Sequence, residues 1–155
     1  MVRVTALDPA AVAEAVGSVV DPEIPVLTIA DLGILRSVDV EEDGVVVTIT
    51  PTYSGCPAMR QIEHDIAAAL ERIGVDDVTM RTTYSPAWTT DWISEEGHRK
   101  LAEFGIAPPT AAGEVVCPQC GGESPRTISR FGSTACKALM VCSSCGEPFD
   151  HFKRH

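Results

Sequence analysis

Two cysteine pairs, Cys117-Pro118-Gln119-Cys120 and Cys142-Ser143-Ser144-Cys145, stand twenty-one residues apart and constrain the last third of this chain more than any other feature. Each pair presents two thiolates from one tight turn, and two such turns supply the four sulfurs of a tetrahedral site. The spacing is about one residue longer than the usual zinc pattern, a departure that a hairpin insert absorbs. Residues 113–155 are too few to bury a self-sufficient apolar core, so closing a metal site would staple them. The spacing therefore predicts a structural zinc ribbon ligated by Cys117, Cys120, Cys142 and Cys145. Iron in the same four sulfurs is the rival, because tetrahedral S₄ suits either metal. Cys136 lies between the pairs and reads either as a small buried residue or as an extra ligand.

Charge divides the chain at about the same place. Residues 1–112 carry seven basic and eighteen acidic side chains, residues 113–155 five and four, and the nets of −11 and +1 sum to −10. That field repels phosphate backbones and anionic lipid, which argues against nucleic acid and membrane as partners. The segment from Gly105 to Gly113 is rich in Pro, Gly and Ala, and Pro108-Pro109 fits neither a helix interior nor a central strand. Residues 106–113 read as a linker between a domain over 1–105 and a metal-stapled module over 114–155. A length of 155 residues leaves no room for a large multidomain enzyme. The chain has no apolar run of about 18 residues and starts without an apolar leader core, so a cytoplasmic protein is expected, with its cysteines as ligands rather than disulfides.

The acidic part alternates helix and strand signals. Asp8 before Pro9 caps a helix over Ala10 to Val19. Ile34 to Val40 and Val45 to Thr50 are β-rich, and Glu41-Glu42-Asp43-Gly44 supplies a hairpin turn. Val45, Val47 and Ile49 share one face of the second strand. A helix is predicted from Pro57 to Ile73, with Met59, Ile62, Ile66, Leu70 and Ile73 as its apolar stripe and Gly74 ending it. Val78 to Thr83 reads as a third strand and Ser94 to Phe104 as a last helix stopped by Gly105. The fold class is α+β: a small mixed sheet with packed helices, followed by a C-terminal zinc-ribbon-like β module.

Chemistry in the acidic part is sparse. Cys56 stands before Pro57 at the expected N-cap of the strongest helix, where orphan N–H groups and the helix dipole favour a thiolate. Gly55 leaves room for close approach, and Thr52, Tyr53 and Ser54 are polar donors; the competing reading is an inert core cysteine. Asp21 and Glu23, in the Pro-rich loop Asp21-Pro22-Glu23-Ile24-Pro25, are a ligand pair, a docking surface or a merely solvated turn. His64, His98, His151 and His155 form no ligand pattern, and Trp88 and Trp92 read as anchors against the sheet or a partner. No phosphate loop, nucleophile elbow or HExxH occurs.

Asp21-Pro22-Glu23-Ile24-Pro25, Asp31-Leu32-Gly33-Ile34 and Thr50-Pro51-Thr52-Tyr53-Ser54-Gly55-Cys56-Pro57 resemble the small α/β domain of iron–sulfur cluster assembly factors, over roughly residues 8–85. The blocks Trp88-Thr89-Thr90-Asp91-Trp92-Ile93-Ser94 and Phe131-Gly132-Ser133-Thr134, the two cysteine knuckles and the ending Cys145-Gly146-Glu147-Pro148-Phe149-Asp150-His151-Phe152-Lys153 are similar to one branch of that family. That branch comprises the accessory D components of phenylacetyl-CoA ring-epoxidase systems. The resemblance implies a non-catalytic maturation factor for an iron–sulfur or di-iron centre, with the reductase or oxygenase components of the epoxidase as partners. It places the family's cysteine on Cys56 and its acidic loop on Asp21 and Glu23, and implies a transient iron or iron–sulfur cargo beside the structural zinc. Two other readings stay open: a rubredoxin-like electron carrier with iron in the C-terminal site, and a structural protein bridging oxygenase components with Cys56 buried. Exposed sheet edges on small α/β domains often pair, so a homodimer is expected.

Overall fold

Ala58, Ile62, Ile66 and Leu70 recur every fourth residue, and all four are buried on one stripe of the longest helix. The computed structural model describes residues 6–53, 55–110 and 114–154. Ser54, His155 and the end of the expected linker at 111–113 lie outside these. The chain forms two compact units, Met1–Trp88 and Thr89–His155. No helix among the described residues is long and apolar enough to cross a membrane.

The first unit runs α1 (Pro9–Gly17), α2 (Ile29–Leu32), β1 (Leu35–Glu41), β2 (Gly44–Ile49), α3 (Ala58–Arg72) and β3 (Val78–Thr82). Its sheet has the order β1-β2-β3, with β1 antiparallel and β3 parallel to β2. A parallel pair needs a crossover, and α3 provides it. Helix α1 packs on α3 and β1 through Val12 and Val16. Because β2 is central, Val46 is buried as well as Val45, Val47 and Ile49, so the half-buried strand expected from alternation is covered more fully.

Boundaries shift where tertiary contacts intervene. The first helix ends at Gly17 rather than Val19, because Val20 pairs with Thr28 in an isolated bridge and the Val19 carbonyl accepts from the Ile29 N–H. On the expected stripe of α3, Met59 is half-buried and Ile73 is 44% exposed; Ala58 takes the place on the buried face. Helix α2 was not expected. It is set by a capping box in which the Asp31 N–H donates to Thr28 Oγ1 at 3.0 Å and the Thr28 N–H to Asp31 Oδ2 at 3.1 Å.

The second unit holds a single 3-10 turn at Thr90–Trp92, then α4 (Glu95–Glu103), β4 (Ile106–Ala107), β5 (Pro125–Ser129), β6 (Lys137–Cys142) and β7 (Pro148–Phe152). Its sheet order is β4-β7-β6-β5, with β4 parallel to β7 and the other pairs antiparallel. Ile106 and Ala107, which open the segment read as a linker, are buried and paired, and α4 lies in this unit. Ala107, Val115, Cys117, Met140, Cys142 and Phe149 form a buried apolar cluster, so two of the expected ligands are part of the core.

Candidate metal centre and thiol loop

The two knuckles repeat one backbone design. In the first, the Cys117 N–H donates to the Gly122 carbonyl and the Gly121 N–H to the Cys117 carbonyl, both at 2.9 Å. In the second, Cys142 with Glu147 and Gly146 with Cys142 make the same two bonds at 2.9 Å. Gly121 and Gly146 have φ of 77° and 79°, the left-handed conformation needed to turn the chain back after each second cysteine. The sulfurs of Cys117, Cys120, Cys142 and Cys145 all lie within 4.8 Å of one another. Cys117 Sγ is 3.8 Å from Cys145 Sγ, and Cys120 Sγ is 3.5 Å from Cys142 Sγ. A tetrahedral site with metal–sulfur bonds of about 2.3 Å has edges of about 3.8 Å, so the donor set fits one metal ion.

Backbone N–H groups also reach the sulfurs, from Gln119 to Cys117 at 3.4 Å and from Ser144 and Cys145 to Cys142 at 3.3 and 3.4 Å. These bonds favour thiolate over thiol. With no metal bound, the Cys145 N–H leads in lowering Cys142 to about 6. For Cys145 the Glu147 N–H works in the same direction, but burial and the three neighbouring sulfurs prevail and push it up to about 12. The four thiols thus hold one negative charge ready and resist a second. Cys117 and Cys142 are buried while Cys120 and Cys145 are exposed, so one edge of the cluster faces solvent.

Cys136 is not among the four grouped sulfurs. It is buried, its Sγ lies 3.0 Å from Thr134 Oγ1, and its carbonyl accepts from the Lys153 N–H at 3.0 Å. Of the histidines expected to be uninvolved, His64 is exposed and His151 uses Nδ1 against the Ala107 carbonyl at 3.2 Å, with burial lowering its pKa.

In the first unit, Cys56 is half-exposed on the loop before α3. Gly55 ahead of it has φ of 78° and open space around it, and Thr52 Oγ1 lies 4.0 Å from the Cys56 sulfur. Pro57, not Cys56, is the N-cap, and it offers no capping side chain. Cys56 is therefore one position further from the helix than expected, its N–H donating to the Tyr53 carbonyl at 3.3 Å.

Asp21 is 7% exposed; its Oδ1 accepts from the Glu23 and Ile24 N–H groups at 2.8 and 2.9 Å, and its own N–H donates to the Leu27 carbonyl at 2.9 Å. It shapes the Pro-rich loop on which Glu23 sits half-exposed. Among the described residues, Cys56, Asp21 and Glu23 are not gathered into a three-ligand group. Trp88 closes this unit, its indole N–H donating to the Leu32 carbonyl at 2.8 Å.

A three-stranded mixed sheet crossed by one helix with a thiol loop ahead of it, joined to a four-sulfur ribbon, defines a two-module protein of the iron–sulfur-assembly and zinc-ribbon classes. Residues 9–80 match the iron-sulfur cluster assembly protein family, and residues 105–153 match the PaaD zinc beta ribbon domain. An Escherichia coli (strain K12) protein, provisionally named as the D component of 1,2-phenylacetyl-CoA epoxidase, is 48% identical over 140 residues, covering 86% of this chain and 85% of that protein. The chain belongs to this family of phenylacetyl-CoA epoxidase D components, whose ribbon is the PaaD type.

A Porphyromonas gingivalis (strain ATCC BAA-308 / W83) protein named Fe-S protein maturation auxiliary factor is 43% identical over 86 residues, 54% of this chain and 81% of that protein. Two solved structures share the fold. A domain of unknown function from Bacillus anthracis has a TM-score of 0.55 at 26% identity, covering 60% of this chain and 90% of that one. A conserved hypothetical protein from Thermotoga maritima has a TM-score of 0.51 at 29% identity, covering 61% and 94%. The family and the α+β class with a C-terminal ribbon agree with the sequence reading.

Proposed function

We propose that this protein is a non-catalytic maturation factor that helps load a metal centre of a phenylacetyl-CoA epoxidase system, either the iron–sulfur cluster of its reductase or the di-iron site of its oxygenase. The observation that carries this reading is Cys56: a half-exposed thiol on a glycine-turned loop, inside the segment that matches the assembly family, and not one of the four grouped sulfurs. One thiolate on one copy is an incomplete site for iron. The remaining ligands come from the cluster's own sulfide, from the client or from a second copy in a homodimer, and an incomplete site favours release as much as capture. In this reading Asp21 holds the loop in shape and Glu23 offers a carboxylate to the cargo.

Cys117, Cys120, Cys142 and Cys145 hold zinc, whose four thiolates leave no open coordination position, so its contribution is to staple the ribbon. The names of the two relatives support a cytoplasmic accessory protein working beside an oxygenase rather than an enzyme in its own right.

The test is the metal content and visible spectrum of anaerobically purified protein, before and after reconstitution with iron and sulfide, for wild type and Cys56→Ala. Wild type is expected to hold one zinc and to gain iron or cluster absorbance, and Cys56→Ala to hold the zinc alone and to lower active epoxidase in cells. A Cys56→Ala protein that takes up iron and matures the epoxidase normally would overturn the proposal. Protein that is coloured as isolated, with reversible one-electron chemistry, would establish the electron-carrier reading instead.

A further inference from the structure

The turn between β5 and β6 exposes two apolar side chains, Phe131 at 68% and Ile128 at 51%. From Pro125 to Lys137 the sequence has three cations, Arg126, Arg130 and Lys137, and no acid. Lys137 is 5% exposed with its ammonium 4.0 Å from Asp150, so the surface charge of the hairpin rests on the exposed Arg126 and Arg130. Lys153 joins them from the end of the chain. Its Nζ lies 4.5 Å from the centroid of the Phe131 ring and donates to the Arg130 carbonyl at 2.8 Å, which fixes the tip while the ring stays in solvent. Strand β5 is a sheet edge, but it begins at Pro125, carries Arg126 and breaks register between Thr127 and Ser129, features that discourage pairing with another strand. A visitor to this edge meets side chains rather than a backbone ladder.

An exposed aromatic and a branched aliphatic set among cations have the composition of an anchor with a charged rim. From this juxtaposition we infer that the β5–β6 hairpin tip is a docking surface for an acidic protein face carrying an apolar socket, belonging to the client whose metal centre is being loaded. Charge decides the occupant: a second copy presenting the same hairpin would be repelled, and an acidic client is drawn in and its approach steered.

The inference rests on the maturation reading, and the experiment separates the two. The probes are the separately purified reductase and oxygenase components of the epoxidase, titrated against full-length wild type, Phe131→Ala and the double variant Arg126→Glu/Arg130→Glu at low and high salt. Wild type is expected to bind one component. Phe131→Ala should weaken that binding by about tenfold or more, and the charge reversal should do the same while flattening the salt dependence. Because these side chains are exposed, zinc content and Cys56-dependent iron uptake should stay unchanged, and that control excludes misfolding. If wild type binds and both variants bind equally well, the surface is overturned and the maturation reading stands. If wild type binds neither component, the client assignment and the surface fall together. Variants that alter self-association but not client binding would overturn the proposal in favour of a contact between copies.

Discussion

Cys142 receives the Ser144 and Cys145 N–H groups and lies at about 6, whereas Cys120 is raised and Cys145 stands at about 12 in the metal-free cluster. At neutral pH the cluster therefore offers one thiolate and keeps protons on at least two sulfurs, which metal loading must expel. The sign follows: affinity rises with pH, by about a hundredfold per unit where two protons leave, and the slope steepens below about pH 6, where Cys142 also takes a proton. Competition against a chromophoric chelator at a series of pH values measures this directly. A pH-independent affinity would mean that the thiols are already ionised. The same reasoning separates the ribbon cysteines from Cys56, which sits on a loop with one hydroxyl at 4.0 Å and no neighbouring sulfur group.

At the scale of elements, the knuckles are built on close approach. A Cβ on Gly122 would lie 2.9 Å from Ser144 Oγ and 3.1 Å from Cys142 Sγ, so Gly122→Ala presses the first knuckle against the second. It is expected to weaken metal binding by about tenfold or more. Gly121→Ala is the control: the space around it is open but its φ is 77°, so it should cost about 1 kcal/mol of stability and leave affinity nearly unchanged. Paired metal titrations and thermal melts distinguish the two, and equal effects on affinity would refute the close-packing account. Elsewhere local signals explain why some elements were legible and others were not. The four-residue recurrence along α3 and the Asp8 cap of α1, whose Oδ1 accepts from the Ala10 N–H at 3.0 Å, are written in neighbouring residues. Helix α2 also carries a local sign, the Thr28 to Asp31 box, but at four residues it shows no periodicity. Strand β4 carries none, because two residues become a strand only by pairing with β7 more than forty positions later, Ile106 with Asp150 and Ala107 with His151.

For the whole molecule, the two units draw on different sources of stability. The first buries Val45, Val47, Ile49, Ile62, Ile66 and Leu70, a core made of side chains alone, whereas the apolar cluster of the second includes Cys117 and Cys142, which are also its metal ligands. Removing the metal with a strong chelator should therefore abolish hydrogen-exchange protection in β5, β6 and β7 and leave it in β2 and α3. Uniform loss across both units, or no loss in the ribbon, would contradict this division. By itself the sequence determined the four-sulfur site, the hairpin, the crossover helix and the family, because cysteine spacing, alternation and helical recurrence are short-range records of long-range burial. Only the tertiary structure decided that Asp21 is a buried cap for its own loop, that Cys136 stands outside the metal group, that Cys56 falls one position before the N-cap, and that Lys153 meets Phe131. Each of these depends on which distant or irregular backbone comes to lie beside a side chain, and no repeat in the sequence encodes that.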